Sequence, residues 1–137
     1  MGKTQKNVGR HIVADLWGCN SEYLDDVSIV QEFMNNAARA ANATVLNSVF
    51  HTFLPHGVSG AVIIAESHLA IHTWSELCLA SIDIYTCGDK ADPWKAFNYL
   101  KDAFQSKKHT VTELKRGIFE ADENFDLQKN YKEQISG

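Results

Sequence analysis

Apolar and polar positions alternate along this chain in a way that divides it into short strands and two amphipathic helices. Residues 11–17 (HIVADLW) alternate with a period of two and predict a strand that turns at Gly18. Along 24–41, Leu24, Val27, Val30, Phe33, Ala37 and Ala41 recur at helical spacing and predict one helix. Asp25 and Asp26 suit its positive N-terminal end and Asn42 can close it. Residues 43–53 are rich in β-branched and aromatic side chains and predict a second strand. The runs 57–65 (GVSGAVIIA) and 69–74 (LAIHTW) predict two more, with a tight connection at Glu66–His68. Another strand, 79–86 (LASIDIYT), ends at Cys87-Gly88. Asp92-Pro93 is a helix start, because Asp caps and Pro fits the first helical position. Ala96, Phe97, Leu100, Ala103 and Phe104 give that helix a buried face. Residues 109–115 predict a last strand, and the polar tail from 120 to 137 is expected to be poorly ordered.

Strands that follow one another as hairpins, mixed with helices, predict an α+β fold. The expected architecture is a two-layer sandwich, a mainly antiparallel sheet with helices on one face, in one domain spanning 1–137. On strand 79–87, Ala80, Ile82 and Ile84 point one way. Leu79, Ser81, Asp83, Tyr85 and Cys87 point the other way. That second face is either wetted, or it lines an active site or a second sheet across a dimer interface.

Composition narrows the function classes. A chain of 137 residues, 45% apolar and 22% charged, suits one soluble globular domain. A net charge of −4 offers no electrostatic footprint for nucleic acid or an anionic membrane surface. The longest apolar run, Ala61 to Ala65, is far short of a membrane span. The opening MGKTQKNVGR lacks the apolar segment of a secretory signal. An odd set of cysteines (Cys19, Cys78, Cys87) without an export signal predicts reduced thiols and a cytoplasmic protein. There is no CxxC pair to suggest structural zinc.

Polar chemistry concentrates at the predicted hairpin. Glu66, Ser67, His68 and His72 fall close together, with Ser59 just upstream. If the chain reverses near residue 66, positions whose numbers sum to about 132 face each other, which places Ser59 beside His72 or Thr73. Ser67 and His72 are an odd number apart and would point to opposite faces of a continuous strand. A joint role for them needs a turn or a strong distortion. A lone serine in a turn is ordinarily a turn residue. His68 and His72 share a strand parity, and with Glu66 they offer the alternative of a metal-binding module. Cys87 alone reads as a small buried hydrophobe, but Gly88 after it permits a sharp strand exit that opens the thiol to a cleft.

With FLPHGVSG (53–60) before it and IDIYTCGD (82–89) after it, the stretch ESHLAIHTWSE (66–76) resembles the bacterial and archaeal S-adenosylmethionine decarboxylase family. GRHIVADLWGC (9–19) and DPWKAF (92–97) carry the same resemblance, which covers roughly residues 9–119. That family uses a self-made pyruvoyl group in place of pyridoxal phosphate. It is typically a homodimer whose two sheets face each other in an αββα sandwich, with sites near the interface. The resemblance implies that the Ser67 hydroxyl attacks the carbonyl carbon of Glu66 and turns the amide into an ester. By the same resemblance Ser59 holds or polarises that ester, and His72 removes the α-proton of residue 67. β-Elimination then yields chains 1–66 and 67–137, the second headed by a pyruvoyl group. S-Adenosylmethionine would join this group as a Schiff base and lose carbon dioxide, giving the aminopropyl donor for spermidine synthesis. Cys87 is then the implied proton donor, Phe53 the adenine-stacking aromatic and Glu76 the carboxylate for the ribose hydroxyls. The implied site contains no metal. Alternatives are the same chemistry on arginine or ornithine, and a non-catalytic partner subunit.

Overall fold

The computed structural model describes residues 2–125. Its strands are β1 (Thr4–Trp17), β2 (Val45–Thr52), β3 (Val58–Ile64), β4 (Ser67–Trp74), β5 (Leu79–Cys87) and β6 (Lys108–Ala121). They pair antiparallel in one six-stranded sheet, in the order β2-β3-β4-β5-β1-β6. Helices α1 (Ser21–Asp25), α2 (Val27–Ala40) and α3 (Pro93–Ala103) complete the α+β fold. No helix among the described residues is long and apolar enough to cross a membrane.

The helical periodicity over 24–41 predicts one helix, but the chain forms two. Asp26 separates them with an extended backbone (φ −97°, ψ 103°), and its carboxylate accepts the Ser28 N–H at 3.0 Å and the Ile29 N–H at 3.3 Å. A residue whose side chain caps the free N–H groups of a new helix does not also continue the old one. The helical face is nonetheless the expected one, with Leu24, Val30, Ala37 and Ala41 fully buried. Asn42 adopts a left-handed φ of 63° just past α2, where a closing residue is expected. At α3, Asp92 accepts the Trp94 N–H at 3.0 Å and Pro93 opens the helix, as the sequence predicts.

The first and last strands are longer than their hydrophobic patterns. They pair along their whole length, from Thr4 opposite Ala121 to Trp17 opposite Lys108. Backbone hydrogen bonding holds such an extension whatever the side chains do. Residues 120 and 121 therefore belong to β6, while 126–137 of the predicted tail lie outside the described residues.

Alternation sorts the sheet into two faces. Ile12, Leu16, Leu69, Ile71 and Ile84 are fully buried in one core with Met34 of α2. The other face carries Val13, Ile63, Trp74 and Leu114, each between 39% and 45% exposed. On β5 the division falls as predicted: Ala80, Ile82 and Ile84 are buried, while Ser81, Asp83, Tyr85 and Cys87 are half-buried on the open side.

Candidate active site

The β3–β4 connection is Ala65 and Glu66, so Ser67 opens β4 instead of lying inside the turn. The Glu66 side chain is nearly buried, and its Oε1 accepts the Thr44 N–H at 3.0 Å. Its main-chain carbonyl accepts the Cys87 N–H at 2.7 Å. Ser67 takes a φ of +142°, which an L-residue rarely adopts, so the Glu66–Ser67 junction holds backbone strain. A cavity of about 650 Å³ opens here, lined by Ser67, Cys87 and Gly88 together with Lys6, Arg10 and Glu113. Cys87 is half-buried at its edge, where Gly88 turns the chain away at φ +81°. Cys19 is different. It is buried in the core, and burial pushes its thiol up to about 11.

On the helix-side wall of this cavity Arg10 grips Glu113 through two hydrogen bonds of 2.9 and 3.2 Å. The Trp94 indole N–H donates to the same carboxylate. Hydrogen bonding by Arg10, then by Trp94, holds the Glu113 carboxyl below its ordinary range, and the same pairing raises the Arg10 pKa.

A second polar pair stands at the far end of β4. Ser59 faces His72 across the β3–β4 ladder, as the predicted register requires, and the hydroxyl and His72 Nδ1 share a hydrogen bond of 2.7 Å. Phe53 lies just past β2, 47% exposed, with its ring edge-on to His51 at 4.6 Å. Glu76 is exposed in a 3-10 turn, Ser75–Leu77, directly after β4. Ser59, His72, Phe53 and Glu76 thus occupy one end of the sheet. Ser67, Glu66 and Cys87 occupy the other. His72 lies five positions along β4 from Ser67, about 16 Å at the usual rise. A single chain therefore does not bring Ser67 and His72 together.

The metal-binding alternative built on His68, His72 and Glu66 fails on the same geometry. His68 and His72 are about 13 Å apart along β4, and the Glu66 carboxylate turns inward to Thr44. His68 instead joins two residues that the linear pattern does not single out. His68 Nε2 lies 2.8 Å and His11 Nε2 3.1 Å from the same oxygen of Asp83. These three ligand atoms are close enough to hold a cation. Arg116, however, sits 2.7 Å from His11 Nδ1 and 5.1 Å above the Tyr85 ring, so the cluster already has a positive charge beside it. The signal for this cluster was a polar residue at matching parity on three strands, which only the sheet order aligns.

The S-adenosylmethionine decarboxylase family model matches residues 10–117 of the chain. A protein of Pelotomaculum thermopropionicum named S-adenosylmethionine decarboxylase proenzyme is 54% identical over 82% of this chain and 90% of its own length. One of the same name from Thermosipho africanus is 51% identical over 84% of this chain and 88% of its own. The crystal structure of the adenosylmethionine decarboxylase from Aquifex aeolicus superimposes with a TM-score of 0.81 at 38% identity, covering 88% of this chain and 99% of that one.

Proposed function

The chain belongs to the S-adenosylmethionine decarboxylase family, and from that premise we propose that it cuts itself between Glu66 and Ser67 and acts as a dimer with shared sites. It decarboxylates S-adenosylmethionine. The observation that carries the cleavage reading is the Glu66 carbonyl held by the Cys87 N–H next to a strained Ser67.

The residues present fit a pyruvoyl group derived from residue 67. Ser67 Oγ adds to the Glu66 carbonyl carbon, the Glu66–Ser67 C–N bond breaks, and the hydroxyl proton ends on the freed amine of Ser67. The Cys87 N–H donates to the oxygen on which negative charge builds during that addition. A histidine then takes the α-proton of residue 67, the Glu66 carboxylate leaves, and hydrolysis of the new chain end releases ammonia and leaves a ketone. In the mature enzyme that ketone supplies the electron-withdrawing carbonyl needed for loss of carbon dioxide. Cys87, at the cavity edge, returns a proton to the substrate carbon. Phe53 stacks on the adenine and Glu76 accepts the ribose hydroxyls.

The required base is His72, held by Ser59 and about 16 Å along its own strand from Ser67. A second copy laid on the open face supplies it. Ser67, Glu66 and Cys87 of one copy then work with Ser59, His72, Phe53 and Glu76 of the other. The exposed apolar side chains of that face, which no helix among the described residues covers, support the arrangement.

Intact mass tests the cleavage. The purified protein is expected as two fragments, 1–66 and 67–137, the second with a pyruvoyl N-terminus. Ser67→Ala is expected as one unbroken, inactive chain, and an active Ser67→Ala enzyme overturns the mechanism.

A further inference from the structure

Thr86 stands directly opposite Ser67 in the β4–β5 ladder. Because the hydrogen bond across the ladder runs from the Cys87 N–H to the Glu66 carbonyl, Ser67 and Thr86 form a non-hydrogen-bonded pair. In such a pair the two side chains approach most closely. Thr86 is 1% exposed, and its Oγ1 has no hydrogen-bond partner among the described residues. Polar side chains this deeply buried are rarely left unpaired. Valine has the same shape and β-branching and would fill the position without that penalty. Nor does the hydroxyl serve Arg10, its neighbour on the β1 side, whose guanidinium goes to Glu113.

We propose that Thr86 is a positioning residue for self-cleavage: once the Ser67 side chain turns toward it, its hydroxyl, unpartnered among the described residues, receives the hydrogen bond of the Ser67 hydroxyl and aims Ser67 Oγ at the Glu66 carbonyl. This rests on the cleavage reading above. The step is the acyl shift, in which the Ser67 Oγ–Glu66 carbon bond forms, the Glu66 carbon–Ser67 nitrogen bond breaks, and the Ser67 hydroxyl proton moves to that nitrogen. Thr86 changes no bond of its own. An acceptor fixed on a buried strand restricts the rotation of the Ser67 hydroxyl, and small errors of aim are costly in reactions between neighbouring groups.

The test compares Thr86→Val, Thr86→Ser and wild-type proenzyme by intact mass over time, by thermal melting, and by added hydroxylamine, which splits an accumulated ester. Thr86→Val is expected to slow cleavage by roughly ten- to a hundredfold while melting at or above the wild-type temperature. Hydroxylamine is expected not to rescue its cleavage, because the block precedes the ester. Thr86→Ser is expected to cleave near the wild-type rate. A Thr86→Val chain that cleaves as fast as wild type overturns the proposal. So does a slow one that also melts lower, or one that hydroxylamine splits. A wild-type chain that stays whole overturns the cleavage reading itself and this inference with it.

Discussion

Glu113 is the acceptor for three hydrogen bonds, two from Arg10 and one from the Trp94 indole. Its carboxyl is more acidic in the folded chain than in the unfolded one, so its ionised form stabilises the fold. That contribution is fully present above the ordinary carboxylate range and is lost as pH falls through the lowered folded value. Glu113→Gln is therefore expected to reduce stability near neutral pH by about 1 kcal/mol or less, since the pair is partly exposed. The gap to wild type should narrow steadily as pH falls below the usual carboxylate range. Denaturant titrations at neutral and acidic pH check this, and a gap that persists unchanged in acid would mean that the charge is not what matters. At this scale the sequence was readable where a residue belongs to a motif. Ser67 and Cys87 stand together at the cavity, and the Ser59–His72 pair follows from hairpin arithmetic alone. The His11–Asp83–His68 cluster and the orphan Thr86 hydroxyl were not readable. Both depend on which strands are neighbours and how deeply a side chain is buried, and neither leaves a spacing to find.

Between β1 and β2 the chain shows why an element can be recognised while its limits are missed. Helical periodicity reports which face is buried, and Leu24 and Val30 do lie on one buried face. It does not report a cap placed inside the run. Asp26 breaks the run because its carboxylate takes the first free N–H groups of α2. Asp26→Ala is expected to cost about 1 kcal/mol, the usual effect of losing such a cap. Asp26→Asn and Asp26→Ser should restore most of it, which thermal melting of the three variants measures. If Asp26→Ala melts like wild type, the break comes from packing around α1 and not from the cap. The central hairpins were better marked, since buried and open positions alternate along β3, β4 and β5. The ends of β1 and β6 carry no such alternation, because there the two strands hold each other through their backbones.

Across the whole molecule, the chemistry divides between the two ends of one sheet, and the proposed dimer rejoins it. The cleavage bond and Cys87 lie at one end, while His72 and Ser59 lie about 16 Å away along β4. A sheet with apolar side chains open on one face suits a second copy laid against it, because burying those side chains contributes favourably in proportion to area. If each site draws Ser67 from one copy and His72 from the other, two defective chains can repair each other. Ser67→Ala alone is expected to stay whole, and His72→Ala alone to cleave slowly through an ester. Produced together, they form mixed dimers in which the Ser67 of the His72→Ala chain meets the His72 of the Ser67→Ala chain. That one intact site is expected to cleave the His72→Ala chain at a near-normal rate in mixed dimers only, while the Ser67→Ala chain remains whole. Intact mass distinguishes the two chains by their differing substitutions. If cleavage of the His72→Ala chain is no faster in the mixture, although mixed dimers are present, each site lies within one copy. The long reach from Ser67 to His72 would then have to be closed by movement within a single chain.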